Sequence, residues 1–251
     1  MSSSQEINNT RFNAEAQEWD SNIKHVESTA KAVEAIKRYV PGFKAGTNKD
    51  LNILELGCGT GLLSFALAPS VHSLLGIDTA DGMLHAFDTK LSDHPKNTAS
   101  PPNLSAINHY LTTPDVPEVQ AAATKLHNAP PSTPKLRFDV IVSHLTLHHI
   151  ASLSDMLRTL HACLKPGGCV ALTDYEDFGA GAIPFHPVSK RAGVERHGIR
   201  RQEMEELLVA TGFGGVRVEE AFVLRKEVEA EDGMPVRELD FPFLMCFGVR
   251  D

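Results

Sequence analysis

Three glycines at alternate positions, Gly57, Gly59 and Gly61, follow directly on the apolar run Leu51-Asn-Ile-Leu-Glu-Leu56, and a helix-forming stretch begins at Leu62. No other feature constrains the fold as strongly. Glycine adopts backbone angles that other residues avoid, and it has no side chain to hold a ligand away from the main chain. The helix that follows presents unpaired N–H groups to whatever sits at the turn. A strand that turns through such a loop into a helix therefore predicts an α/β domain with a ligand at its first strand end.

The rest of the chain continues that alternation. Short apolar runs at 73–77, a weaker one at 104–108, then 138–143 and 169–173 read as strands, and 216–224 with 241–249 supply two more. Helical stretches cover 62–68, 82–90, 153–164 and 202–211. The Pro-, Ala- and Asn-rich segments 92–102 and 112–134 read as an enlarged surface connection with one helix between Pro117 and His127. At the amino end, residues 1–9 read as a loose polar tail. From Ala14 to Tyr39 the positions Trp19, Ile23, Val26, Ala30, Val33 and Ile36 recur at helical spacing, until Pro41-Gly42 and Gly46 end the helix. The expected fold is a doubly wound, mostly parallel seven-stranded sheet. Residues 1–46 form an amino-terminal tail and helical arm, and 47–251 the ligand-binding domain.

The phase of the glycines discriminates between ligands. A dinucleotide fingerprint places glycine at the sixth position of Gly-x-Gly-x-x-Gly. Here Leu62 stands there, Gly61 comes one place earlier, and Glu55 precedes the first glycine by two residues. That pattern resembles the Glu/Asp-x-Gly-x-Gly-x-Gly motif of class I S-adenosylmethionine-dependent methyltransferases, with a Rossmann-like fold. The resemblance continues through Phe138-Asp-Val-Ile-Val-Ser-His-Leu-Thr-Leu-His-His149, similar to the fourth-strand motif, and through Leu164-Lys-Pro-Gly-Gly-Cys-Val-Ala-Leu172. Phe12-Asn-Ala-Glu-Ala-Gln-Glu-Trp-Asp20 resembles the amino-terminal arm of ubiquinone-biosynthesis-type small-molecule members. Asp174-Tyr-Glu-Asp177, Phe185-His-Pro187, His197-Gly198 and Phe213 resemble a subset with unassigned substrates.

The resemblance implies S-adenosylmethionine as cofactor. It assigns to it Glu55, Gly57, Cys58, Gly59, Gly61, Asp78, Thr79, Met83, Asn108, Ser143 and His144. Asp78, at the end of the second strand, would take both ribose hydroxyls; the plainer reading makes it a cap for the helix starting near Asp81. Cys58 is read as a small residue between glycines. The sequence departs from the family after the third strand, where an acid commonly bonds the adenine amino group. Asn108, His109 or Tyr110 occupies that place, and an asparagine carbonyl can still accept from an amine.

A hydroxyl, ammonium or acidic carbon acceptor must lose a proton during transfer, and a positioned base contributes about 10²–10⁴-fold. His148, His149 and His186 are the candidates on the substrate side, with Asp174 and Glu176 as alternatives; each could equally be a packing or solvated residue. His144, His148 and His149 have a spacing that could suit a metal, but no Glu-x-x-His or cysteine pair completes it, so no metal is expected. Trp19 fits either helix packing or a lid.

The bulk numbers narrow the partners. A net charge of −8 with scattered basic residues disfavours a nucleic-acid groove. No apolar run approaches a membrane span, and four cysteines without a Cys-x-x-Cys pair fit reduced thiols in the cytoplasm. The reading is thus a methyltransferase acting on a small-molecule acceptor. A binding protein that holds the cofactor without turnover is the second reading, since the glycine loop reports binding only. A nicotinamide oxidoreductase is disfavoured by the glycine phase.

Overall fold

A computed structural model of the chain describes residues 3–93, 103–127, 130, 135–231 and 233–251. Its centre is a seven-stranded sheet in the order β3-β2-β1-β4-β5-β7-β6. The strands are β1 (Asn52–Leu56), β2 (Ser73–Asp78), β3 (Leu104–Asn108), β4 (Phe138–His144), β5 (Leu164–Tyr175), β6 (Phe213–Val228) and β7 (Arg237–Arg250). β1 to β5 run parallel, and β7 lies antiparallel between β5 and β6. The order reverses at β1, flanked by β2 and β4, which opens a crevice at the carboxyl ends of these strands.

Strand alternation sends side chains to two separate cores. Leu54, Leu75, Ile141 and Leu172 meet the helices α6 (Pro117–Leu126), α7 (Leu153–Cys163) and α8 (Arg201–Thr211) on one face. Ile53, Leu74, Val140 and Ala171 meet α2 (Ile23–Tyr39), α4 (Leu62–Leu67) and α5 (Asp81–Asp93) on the other. A short helix, α3 (Pro41–Ala45), closes the link after α2, with Gly46 left-handed at its end.

The amino end differs from the expected tail and single long helix. Residues from Ser3 are helical, forming α1 (Ser3–Glu15), and a break at Trp19–Ser21 separates it from α2. Asn22 caps α2 by accepting from the Lys24 N–H at 2.9 Å. Its buried side is Ala32, Val33, Ala35, Ile36 and Tyr39, while Ile23 and Val26 are exposed. α2 is therefore a core layer, whereas α1 is not: it has no apolar stripe and is held by polar side chains. Gln5 Nε2 donates to Thr79 Oγ1 at 2.9 Å, Asn9 Nδ2 to the Thr79 carbonyl at 3.1 Å, and the Gly82 N–H to Asn13 Oδ1 at 2.7 Å. Hydrophobic periodicity cannot reveal such a helix.

The other differences lie at strand ends. β5 begins at Leu164, and the Lys165–Gly168 turn bulges out between the pairs Phe138–Leu164 and Val140–Cys169. β6 and β7 run on past the expected ends into a long hairpin, with Lys226 paired to Leu239 and Val228 to Arg237. The helix expected at Pro117–His127 is present as α6, while much of the surrounding connection (94–102, 128–129 and 131–134) lies outside the described residues. No helix among the described residues is long and apolar enough to cross a membrane.

Candidate active site

A cavity of about 510 Å³ runs from the glycine loop, beneath α1, to the β6–β7 hairpin. Its first end is made largely of backbone. The Gly57 and Cys58 N–H groups both donate to the Ile77 carbonyl, at 2.8 and 3.1 Å, which clamps the loop to the end of β2. The Gly59 N–H donates to Asp78 Oδ2 at 2.8 Å. The other Asp78 oxygen accepts from the Thr79 and Ala80 N–H groups at 2.7 and 2.9 Å. Asp78 thus anchors the loop and turns the chain toward α5 while bordering the cavity. Burial raises its pKa, and those three N–H bonds act against the rise.

The three glycines are not equivalent. All have positive φ, but a Cβ on Gly57 would strike the Thr146 side chain at 2.3 Å, and one on Gly61 would strike Phe87 at 2.6 Å. A Cβ on Gly59 would meet nothing nearer than Met83 Sδ at 4.0 Å. Gly57 and Gly61 are therefore required by protein packing, and Gly59 alone leaves backbone facing open space. Glu55 is buried beneath the loop and accepts from Ser64 Oγ; burial pushes its carboxyl up to about 8. Cys58 is buried with its thiol pKa raised by the same cause, which leaves it without thiolate character.

The second end is made of side chains. His148 sits in the short turn Leu147–His149 after β4, fully buried. Its Nδ1 lies 2.9 Å from each oxygen of Asp174, a buried residue near the end of β5, and its own N–H donates to Asp174 Oδ2 at 3.1 Å. The carboxylate fixes the ring so that Nδ1 carries the proton and Nε2 the lone pair. That Nε2 is buried without a partner among the described residues. His149 and His186 stand beside it, with ring centroids 4.0 and 5.0 Å from that of His148. Burial, chiefly, holds both well below the usual histidine range, so both are neutral. The Tyr175 hydroxyl, 3.3 Å from His186 Nδ1, orients the third ring.

Between the two ends, Leu145 has φ 55°, the one non-glycine residue with positive φ among those described. Its N–H donates to the Thr173 carbonyl at 3.0 Å. Strain at a branched residue persists only where the surroundings over-determine it, as at ligand sites. Aromatic rings close the outer wall: Phe12 of α1 packs edge-on against Trp19 and against His149, at 5.7 and 5.4 Å. Trp19 in turn lies 3.9 Å from the His25 ring.

Most sequence-predicted residues converge on this cavity: Glu55, Gly57, Cys58, Gly59, Asp78, Thr79, Met83, His144, His148, His149 and His186 line it. Three cofactor candidates do not. Ser143 is buried and donates to the Leu56 carbonyl at 2.8 Å, tying β4 to β1. Gly61 backs onto Phe65 and Phe87. Asn108 turns out to Asp81 Oδ1 at 2.5 Å, and the next three residues, His109, Tyr110 and Leu111, line the cavity in its place. His144 borders the cavity with Nδ1 2.9 Å from Thr173 Oγ1; burial lowers its pKa to about 4. Sequence reasoning missed the hairpin residues Leu224 and Lys226 to Glu229, Leu145, and Arg11 of α1. A positive φ at Leu145 has no sequence signal. Lys226 reads as solvent-exposed charge until the hairpin folds it over Phe185, whose carbonyl it bonds at 2.5 Å.

The fold and the glycine loop are similar to those of class I S-adenosylmethionine-dependent methyltransferases. Residues 54–170, just under half of the chain, match the family model of a methyltransferase domain. It is similar to the phosphoethanolamine N-methyltransferase of Triticum aestivum, 27% identical over 202 residues, covering 79% of this chain and 35% of the relative. It also resembles the ubiquinone biosynthesis O-methyltransferase of Coxiella burnetii, 29% identical over 122 residues, covering 49% and 42%. The chain spans only about a third of the length of several curated relatives it matches. In fold it is similar to magnesium protoporphyrin IX methyltransferase from Synechocystis, solved with bound S-adenosylmethionine, at TM-score 0.60 and 14% identity over 100% of this chain and 99% of that one. The cofactor of the class is S-adenosylmethionine. The open backbone at Gly59 and the adjoining Asp78 carboxylate fit it.

Proposed function

We propose that this chain transfers a methyl group from S-adenosylmethionine to a small-molecule acceptor whose nucleophile rests against His148. One observation carries the reading: a single cavity joins the glycine loop to the buried His148–Asp174 pair. Gly57, Gly59, Asp78 and Met83 are the residues that would hold the cofactor, with His109 to Leu111 beside the base. When bound, S-adenosylmethionine supplies a methyl already activated on a sulfonium.

The remaining work falls to the chain's own side chains. Asp174 holds the His148 ring, and Nε2 takes the acceptor's proton as the nucleophile attacks. Phe12, Trp19 and Phe185 wall the cavity and exclude water, so position and desolvation favour transfer over hydrolysis. Arg11, Lys190 and Lys226 also border this end; Lys190 pairs with Glu15, and Glu229 acts on Lys226 through space. An acceptor with an acidic group, presenting oxygen or nitrogen to His148, suits that lining. The two curated relatives named above are an N- and an O-methyltransferase, so the nucleophile's element stays open.

A net charge of −8 supports a small molecule over a nucleic acid as acceptor. Four buried, free cysteines suit a cytoplasmic location. In the amino-terminal segment, α1 is the part we assign as the cover of the site. The test is a screen of fractionated metabolites with methyl-labelled S-adenosylmethionine. A labelled small molecule is the expected result; cofactor binding without label transfer to any fraction would favour a binding protein.

A further inference from the structure

We propose that His148, His149 and His186 form a binding site for one divalent d-block cation of the zinc type, with a coordination position open to the acceptor. The inference deepens the acceptor end of the proposed function and rests on that reading for its chemistry. Each of the three histidines offers one ring nitrogen, and the three atoms lie within 4.8 Å of one another. Zinc binds imidazole nitrogen at about 2.0–2.1 Å, which places tetrahedral ligands about 3.4 Å apart.

Two features separate this cluster from histidines that merely pack together. His127, His144 and His197 each leave one ring nitrogen buried and unpartnered among the described residues as well, but here two such atoms, His148 Nε2 and His149 Nδ1, belong to rings whose centroids lie 4.0 Å apart. A buried lone pair left bare costs free energy, and two converging ones mark a place for an electrophile. The surroundings of His148 and His186 also match what metal-bound histidines need. His148 gives its other nitrogen to the Asp174 carboxylate, and His186 faces the Tyr175 hydroxyl with Nδ1. Such outer partners fix the tautomer and aim the free nitrogen inward.

Spacing along the chain hid this set. His148 and His149 are adjacent, and the third member comes from the loop after β5, 37 residues beyond His149. Three nitrogen ligands leave a fourth position facing the cavity, the arrangement of catalytic rather than structural zinc. Arg11 and Lys226 act electrostatically on this cluster. They disfavour a bare cation and favour one whose open position carries an anionic oxygen, which is the acceptor class proposed above. A bound cation would make a coordinated hydroxyl acidic enough to give up its proton to solvent, and His148 would then serve as its ligand, keeping the role of base in the metal-free protein.

The test titrates the metal-free full chain with Zn²⁺ by calorimetry, in the absence of cofactor and acceptor, and repeats it with Co²⁺ in the spectrophotometer. One equivalent of Zn²⁺, with Co²⁺ giving the visible d–d bands of a four-coordinate nitrogen site, is expected. His186→Ala should abolish that step, and Asp174→Asn should weaken it about 10- to 100-fold. Exposed His85→Ala should change nothing. S-adenosylmethionine titration of each variant reports whether it is folded, and His186→Asn serves if His186→Ala fails it. No stoichiometric binding by the parent chain, or equal binding by a folded His186 variant, overturns the site. Loss of cofactor binding by the parent chain would instead overturn the proposed function and leave the metal result standing.

Discussion

The two ends of the cavity are built from different materials. The cofactor end is largely main chain and small residues from the stretch between β1 and α4 and from the end of β2, with Met83 and His109 to Leu111 beside them. The acceptor end is side chains from four places far apart in sequence: the turn after β4, the end of β5, the loop carrying His186, and the hairpin. Backbone geometry forces glycine at fixed spacing, so the first end leaves a mark in the sequence. Side-chain convergence leaves none until the chain is folded. The difference also separates the duties: one end binds a cofactor common to a class, and the other selects what is methylated.

The sharpest way to break that division is at His148. His148→Gln should lower kcat by about 10²–10⁴-fold while leaving S-adenosylmethionine affinity unchanged, because the ring acts only at the acceptor end. Single-turnover rates and cofactor calorimetry on the same preparation decide it. A parallel loss of cofactor affinity would mean the ends are coupled through β4, and the division would fail.

The reciprocal change is Asp78→Ala. It removes a charged acceptor at the cofactor end and should cost about 1.5–3 kcal/mol of cofactor binding, roughly ten- to a hundred-fold in Kd. Because Asp78 also receives the Gly59 N–H, part of the loss comes from a loosened loop. Asp78→Asn, which keeps the acceptor but not the charge, should recover some of it. An unchanged Kd for Asp78→Ala would reduce the residue to a cap for the turn into α5.

How much was legible follows from the same contrast. The sheet, its strand sequence and the glycine turn were readable because β1, β2 and β4 are mostly apolar runs. Asp78 was readable by its place after the second run. Ser143 and Gly61 misled because family position does not say which way a residue faces: Ser143 turns toward β1, Gly61 toward Phe87. Asn108 failed for the same reason, by one residue of register. The α1 helix was hidden because its contacts are largely polar, and periodicity detects only apolar faces; the far half of the hairpin was hidden because its packed residues Val228 and Leu239 stand isolated among charged ones.

The ends also titrate with opposite signs. Glu55 keeps its proton to about pH 8 in the folded state and releases it near 4.5 when exposed. Between those values the folded state binds more protons, so stability falls as pH rises, by up to about 1.4 kcal/mol per pH unit. His144 is neutral down to about pH 4 when folded and protonates near 6.5 when unfolded. Across that window the unfolded state binds more protons, and stability rises with pH. Urea unfolding at half-unit pH steps should show Glu55→Gln losing the decline above pH 6.5. His144→Asn should lose the rise below it. Identical profiles for parent and variants would place both groups in better-solvated sites than their burial indicates.

The smallest expected effect falls where the two ends meet. α1 bonds Thr79 and Gly82 on the cofactor side, through Gln5, Asn9 and Asn13. On the acceptor side, Asn8 bonds the Gly193 carbonyl at 2.9 Å and Arg11 the Lys190 carbonyl at 2.6 Å. A helix held by polar bonds, with few buried apolar contacts, opens at lower cost than the core beneath it. Asn13→Ala removes one bond worth about 0.5–1.5 kcal/mol and should speed amide exchange in Ser3–Glu15 about two- to tenfold. Exchange in β1 and β4 should not change. Because Phe12 and Arg11 lie on the same helix, the acceptor's KM should rise together with that local opening, although Asn13 is at the cofactor side. Saturating S-adenosylmethionine should restore protection of α1 if the helix closes over the cofactor. Faster exchange spread evenly through the sheet would instead make α1 part of the cooperative core, and the cavity would then have no separate cover.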